Sequence, residues 1–221
     1  SRERPQVSGT DQDNSDKRTT SHRIRKMNGR IFKLGIMGGT FNPIHQGHLV
    51  AAEFIRDEFG LSEVLFVPSG KPPHKDNNEI APPEVRWMMA VLATASNEYF
   101  SVSSLEIERV GESYTRETIL QLRKIYPTNT ECYFITGADA IAEISAWHKT
   151  EDLSRIIKFI AASRPGYELD IEDIDSRFRN STFLVEIPAL SISSTEIRER
   201  IKEGKTIKYL LPEPVEKYIF K

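Results

Sequence analysis

The sequence predicts an α/β fold: a mostly parallel sheet with helices on both faces and a helical C-terminal end. Two observations point there. Short apolar runs alternate with stretches of helical periodicity, and most connections between them are short, as strand–helix–strand crossovers require. Length sets the scale, because 221 residues suffice for one domain with a real core and are too few for two large ones.

Taken in order, residues 1–30 are rich in Ser, Thr, Asp, Asn, Gln and Arg and nearly free of large apolar residues before Ile24. They read as a disordered N-terminal extension, with the folded domain spanning 31–221. Ile31 to Met37 is a short central strand that runs into Gly38-Gly39. From Gly47 to Phe59, Leu49, Ala52, Phe54, Ile55 and Phe59 make one helical face, which stops at Gly60. Val64 to Val67 is a strand ended by Pro68-Ser69-Gly70, and a polar, proline-rich loop follows to Pro83. A helix from Glu84 to Ala95 has Val85, Met88, Met89, Leu92 and Ala95 as its apolar stripe.

A strand near Tyr99 to Val102 precedes a helix starting at Thr115, with Ile119, Leu122 and Ile125 inward. Glu131 to Thr136 is a strand leading through Gly137-Ala138-Asp139 into a helix reaching about Ser145. Ile156 to Ala162 and Phe183 to Ile187 are the last strands, and 167–180 has no assigned element. Ser193 with Glu196 three residues on is a reciprocal cap signal for a helix ending at Gly204, and Pro212 to Ile219 closes the chain.

Composition excludes several classes. The net charge of -2 divides unevenly: residues 1–30 carry +4 and residues 31–221 carry -6, which is no nucleic-acid-binding surplus on the folded part. No apolar run approaches the ~20 residues of a membrane span. Cys132 is the only cysteine; in its apolar run it reads as a buried small hydrophobe, and a cytoplasmic address fits.

The candidate chemistry collects at strand ends, where ligands bind on parallel sheets: Gly38, Pro68, Gly137 and Arg164 each follow a predicted strand. Gly38-Gly39 matches neither a Walker loop nor the dinucleotide fingerprint, yet glycine allows close backbone approach to a ligand. His45 and His48, three apart at a helix start, can face one side, and backbone N–H groups there suit an oligophosphate. A hydrogen-bonded structural role fits the two histidines as well. A zinc site lacks its third ligand unless His74 supplies it, and there is no His-Glu-x-x-His or Gly-x-Ser-x-Gly. Lys71, Lys75, Arg164 and Arg198 place a cation at each of the other loops, and a highly charged substrate needs neutralisation and alignment more than a covalent nucleophile. Thr40, Asp139, Ser194 and Thr195 are hydrogen-bonding candidates. Tyr114 and Trp147 could stack on a ring or fill the core.

Gly38-Gly39-Thr40-Phe41-Asn42-Pro43-Ile44-His45-Gln46-Gly47-His48 resembles the signature of the His-x-Gly-His nucleotidyltransferase superfamily, and Ile192-Ser193-Ser194-Thr195-Glu196-Ile197-Arg198 resembles its second signature. Lys71 to Lys75, Ser113-Tyr114-Thr115, Gly137-Ala138-Asp139, Trp147, Arg164-Pro165-Gly166 and Tyr209-Leu210-Leu211-Pro212 are similar, in the same order, to those of bacterial nicotinate-nucleotide adenylyltransferases. The resemblance covers about residues 32–221. It implies a Rossmann-like, doubly wound sheet of the HUP/nucleotidylyl transferase type, and transfer of AMP from ATP to nicotinate mononucleotide, giving deamido-NAD and pyrophosphate. It implies His45, His48 and Arg198 as catalytic residues. The ATP side would be Gly38, Gly39, Thr40, Phe41, Gly137, Asp139, Arg164, Ser193, Ser194 and Thr195. The mononucleotide side would be Thr40, Lys71, Lys75, Tyr114, Thr115 and Trp147. Mg²⁺ would ride mainly on the ATP phosphates, with no protein metal site. Asn42 departs from the aspartate most frequent there, which implies altered local electrostatics.

The nearest alternative is an enzyme of this fold that uses nicotinamide mononucleotide, or both mononucleotides. A different class is a non-catalytic nucleotide-binding regulatory domain; His45, His48 and Arg198 together argue against it. Neither nucleic acid nor membrane is expected as a partner, and a homo-oligomer is compatible with the sequence.

Overall fold

The computed structural model describes residues 31–72, 80–166, 169–188 and 190–221. The N-terminal extension and Lys75, expected at the mononucleotide, lie outside the described residues. The order is β1 (Lys33–Gly39), α1 (Gln46–Phe59), β2 (Glu63–Pro68), α2 (Pro83–Thr94), β3 (Phe100–Val102), α3 (Thr115–Ile125), β4 (Glu131–Gly137), α4 (Ala138–Ala142), α5 (Leu153–Ile156), β5 (Lys158–Ser163), β6 (Thr182–Glu186), α6 (Ser194–Lys202) and α7 (Glu213–Ile219). Short 3₁₀ turns at Ile144–Ala146, Ile171–Asp173 and Arg179–Ser181 fill segments too short for the sequence pattern to announce.

All six strands are parallel, in the order β3-β2-β1-β4-β5-β6. The chain winds outward from β1 in one direction and then from β4 in the other, so strand order reverses between β1 and β4. That reversal opens a crevice at their carboxyl ends. The expected doubly wound sheet is therefore present.

Alternation along the strands sends residues to two cores. Met37, Val64, Phe66, Tyr133 and Ile135 pack under α1, α2, α6 and α7, while Leu34, Ile36, Leu65, Phe134 and Phe159 pack against Ile119 and Leu122 of α3, Ile141 of α4 and Leu153 of α5. Cys132 is buried as expected, and burial pushes its thiol pKa up, the reverse of what a nucleophile needs.

Two expectations need correction. The first strand does not stop at Met37: Gly38 and Gly39 continue the parallel ladder opposite Val67 and Pro68. Likewise Gly137 belongs to β4, opposite Ala162. Glycine is a poor strand former, but pairing on a neighbour overrides propensity. The glycines are thus strand ends held in register rather than loop residues. In α2 the buried residues are Arg86, Met89, Ala90, Ala93 and Thr94; Ala95 is exposed and Val85, Met88 and Leu92 are only half-buried. The inward face is turned by about one residue, because Arg86 dips beneath the loops that follow β1 and β2. Of the expected reciprocal cap, Ser193 accepts the Glu196 N–H at 3.1 Å. The C-terminal segment closes against α1, where the Gln46 N–H donates to the Leu210 carbonyl at 2.9 Å and Leu211 and Val215 are buried in the first core.

Candidate functional site

A cavity of about 350 Å³, within the ~300–1,000 Å³ range of small-molecule sites, opens at the β1/β4 crevice. Its walls come from Gly38, Gly137 and Arg164 at three strand ends, from His45, Gly47 and His48 at the start of α1, and from Ser193 and Ser194 at the start of α6. Ile135, Ala162, Ile187, Leu190 and Ile192 give it an apolar side, a surface on which a flat base can lie. None of Ile187, Leu190 and Ile192 was a candidate ligand contact in the sequence, since aliphatic residues near a strand end read as core.

The two histidines are set by the turn that starts α1. The His45 N–H donates to His48 Nδ1 at 3.2 Å. A ring nitrogen that accepts carries no proton, so neutral His48 has its proton on Nε2 and is a donor there. The imidazoles lie against each other with centroids 3.8 Å apart. Burial, then the charge of Arg164, lowers the pKa of His45 to about 4, so His45 is neutral at pH 7. Its buried Nδ1 faces the backbone N–H of His48 in a reciprocal capping box, though without a hydrogen bond of full geometry. Gly47 makes the pairing possible: a Cβ there would lie 3.0 Å from His45 Nδ1 and 3.1 Å from Cε1.

Phe41 turns its ring into the core, 2% exposed, edge-on to His48 with centroids 5.1 Å apart and beneath Gly39. Its side chain supports the site and only its backbone remains for a ligand. Its φ of 50° is an uncommon conformation for a bulky residue, located where the chain turns from β1 into α1. The α6 start is tied to this turn: Ser194 Oγ donates to the Pro43 carbonyl at 2.8 Å, and Arg198 donates to the Asn42 carbonyl at 2.9 Å and to Thr195 Oγ1 at 3.3 Å. Asn42 is buried, and its Oδ1 accepts the Ala81 N–H at 3.1 Å, a bond that an aspartate would also make. Gly39, Thr40, Phe41, Asp139, Thr195 and Arg198 adjoin the cavity without lining it.

The expected mononucleotide residues do not line this cavity. Lys71, Tyr114, Thr115 and Trp147 gather instead on the other side of the β1 end, above the second core. Trp147 packs edge-on against Phe134 at 5.9 Å, and Phe134 lies under Gly38. Tyr114 stacks on His148 at 4.1 Å. Arg116 and Asp152 pair bidentately at 2.8 and 2.7 Å, holding the segment after Trp147 beside α3. The candidate residues therefore form two adjoining groups around Gly38 and Gly39, one lining the cavity and one above the second core.

Sequence reasoning missed Arg86. It is 1% exposed and donates to the carbonyls of Ala81 at 2.9 Å, Thr40 at 2.8 Å and Gly70 at 3.0 Å. One guanidinium thus staples the loops after β1 and β2 to the start of α2. An arginine within a helix ordinarily reads as solvated surface, and no local signal marks this one.

Among the described residues no group of three or more His, Cys, Asp or Glu could hold a metal, and no helix is long and apolar enough to cross a membrane.

A family model described as "Cytidylyltransferase-like" matches residues 36–200. A protein of Thermoanaerobacter sp. (strain X514), described as "Probable nicotinate-nucleotide adenylyltransferase", is 49% identical over 197 residues, covering 87% of this chain and 93% of the relative. One of Moorella thermoacetica with the same description is 53% identical over 192 residues, covering 85% and 88%. Among solved structures, the Plasmodium falciparum nicotinic acid mononucleotide adenylyltransferase complexed with NaAD superposes with a TM-score of 0.70 at 23% identity, covering 86% of this chain and 95% of that one. At that identity the likeness concerns the fold.

Proposed function

This chain belongs to the cytidylyltransferase-like family and, within it, to the nicotinate-nucleotide adenylyltransferases, and on that premise we propose that it transfers AMP from ATP to nicotinate mononucleotide, giving deamido-NAD and pyrophosphate. A phosphate oxygen of the mononucleotide attacks the α-phosphorus of ATP in line. The new O–P bond forms as the bond from the α-phosphorus to the bridging oxygen breaks, and the electron pair leaves with pyrophosphate. No covalent enzyme intermediate is involved.

The observation that carries this reading is the His45–His48 pair in the wall of the crevice cavity. A neutral His45 beside a His48 whose Nε2 is the free donor suits phosphoryl oxygens, which need hydrogen bonds as charge shifts toward the leaving group. Arg164 adds positive charge beside His45. Arg198 and the Ser193–Thr195 helix start are suited to the departing pyrophosphate, since α6 presents its N-terminus there. The apolar side from Ile135 to Ile192 suits adenine, with Gly137, Asp139 and Arg164 at the adenosine end. Lys71, Tyr114, Thr115 and Trp147 receive the mononucleotide, with Thr40 between the two halves.

The side chains at the cavity are donors rather than a carboxylate set, and they fit a magnesium ion that arrives on ATP. The residues that bind the phosphates would hold the ion through them, and the ion would neutralise phosphate charge.

The test is pyrophosphate release with ATP, Mg²⁺ and either mononucleotide. The expected result is a higher kcat/KM for the nicotinate form. A higher value for the nicotinamide form would reject the acceptor assignment, and no release with either would leave a nucleotide-binding domain instead. A cytoplasmic location agrees with this chemistry and with the single buried cysteine.

A further inference from the structure

Within the group of mononucleotide residues, the hydroxyl of Ser113 makes a junction that the transfer chemistry does not use. Ser113 Oγ accepts two backbone N–H groups, Gly70 at 3.0 Å and Lys71 at 3.3 Å. The Ser113 N–H returns the bond to the Lys71 carbonyl at 3.0 Å. Three hydrogen bonds therefore join the turn after β2 to the residue just before Tyr114 and Thr115, although 42 positions separate Lys71 from Ser113.

An oxygen that accepts twice has its own proton left to give, and the Glu106 backbone lies against Gly70 beside it. Glu106 is 8% exposed and accepts from the Thr118 hydroxyl, which in turn accepts from Arg109 at 3.2 Å. A buried carboxylate is costly unless paired and hydrogen-bonded, so a surface turn gains nothing obvious from one. Gly70 shows how tight the junction is: a Cβ there would collide with the backbone carbonyl of Glu106, an atom with no rotamer to escape by. Arg86 holds the same turn from the other side through the Gly70 carbonyl.

We propose that Ser113, packed beside the buried Glu106, is a positioning residue that sets the Lys71 turn against Tyr114 and Thr115 and so gives the mononucleotide sub-site its shape. The proposal rests on the reading that those residues receive the mononucleotide. Ser113 need not touch the substrate. It fixes the separation between a cation on one loop and a ring and hydroxyl on another, and alignment of that kind is what in-line transfer requires. The adenosine cavity, built on β1, β4, β5 and the starts of α1 and α6, shares none of these bonds.

The experiment compares wild type with Ser113→Ala, Ser113→Thr and Glu106→Gln, in steady-state kinetics and in amide hydrogen exchange on the protein without substrate. Ser113→Ala is expected to raise the mononucleotide KM roughly tenfold, the worth of about one net hydrogen bond, with the ATP KM within about twofold of wild type. Ser113→Thr, which keeps the hydroxyl, restores most of the loss. Glu106→Gln, which weakens the acceptor that the Thr118 hydroxyl uses beside the junction, raises the same KM. In Ser113→Ala the amides of Gly70 and Lys71 exchange faster while Val64, inside the sheet, does not. Unchanged exchange at Gly70 and Lys71 overturns the proposal whatever the activity, as does an equal rise in both KM values. An unchanged mononucleotide KM in Glu106→Gln removes Glu106 from it. Wild type that ignores nicotinate mononucleotide but shows the exchange result rejects the acceptor assignment and leaves the junction standing.

Discussion

Replacing Gly47 by alanine sets stability and activity against each other. Gly47 is the second residue of α1, where alanine is the better helix former by about 0.5 kcal/mol, less than the ~1 kcal/mol of a helix interior. Propensity alone therefore predicts a neutral or slightly stabilised protein. The added methyl, however, falls 3.0 Å from His45 Nδ1 and 3.1 Å from Cε1, a few tenths of an ångström inside comfortable contact. His45 is 7% exposed and lies against His48 at 3.8 Å, so its ring yields only by pressing on its partner. A 1 Å misplacement in an active site costs about 10²-fold; a shift of a few tenths is worth roughly tenfold. The expected outcome for Gly47→Ala is a Tm within about 2 °C of wild type or higher, together with a kcat for pyrophosphate release lowered roughly tenfold. A kcat within twofold of wild type would show that the spacing of the two imidazoles does not limit the reaction. A large fall in both Tm and kcat would mean that the glycine serves the fold and not the histidines.

Other perturbations have equally definite outcomes. Arg86→Met leaves three carbonyls without their donor and removes a buried guanidinium, a loss of about 3–5 kcal/mol and roughly 10 °C in Tm; calorimetry showing less than about 1 kcal/mol would remove the staple from the account. His48→Ala removes a donor to the phosphates and lowers kcat about 10²-fold or more, with unchanged turnover contradicting its role. For His45 the folded pKa of about 4 lies below the ordinary 6.5, so the unfolded chain binds a proton that the folded one excludes. The stability that neutral His45 represents is complete above about pH 6.5 and is lost as pH falls toward 4, by up to ~3 kcal/mol. Chemical denaturation across that range should show a slope that His45→Asn flattens; an identical slope in the variant would exclude His45 as its source.

Much of the fold was legible because period and punctuation agreed: α1 ends at Gly60 with φ of 58°, as the sequence signals, and β5 ends just before Arg164. The histidine pair, the serine-capped α6 and Arg198 were legible too, since polar residues at helix starts follow strong local rules. What stayed hidden depends on partners distant in sequence. Gly38 and Gly39 are strand only because β2 pairs with them. Arg86 is interior only because three carbonyls from other loops converge on it. The division into two groups was invisible because alternation along a strand does not say which face a loop will lean toward. His148 went unremarked beside Trp147 because a lone exposed histidine carries no signal without its stacking partner, Tyr114. Asn42 stood out as a departure, and its Ala81 bond explains why the amide is tolerated.

The bond from the Gln46 N–H to the Leu210 carbonyl has a bearing on synthesis. His45 leaves the ribosome well before Leu210, yet the first turn of α1 is pinned by that later segment. A nascent chain can pair β1, β2 and β4 long before that segment emerges. The sheet is then in place while the histidine turn lacks its anchor. The histidine turn is thus anchored only once Leu210 has emerged, later than the sheet beside it.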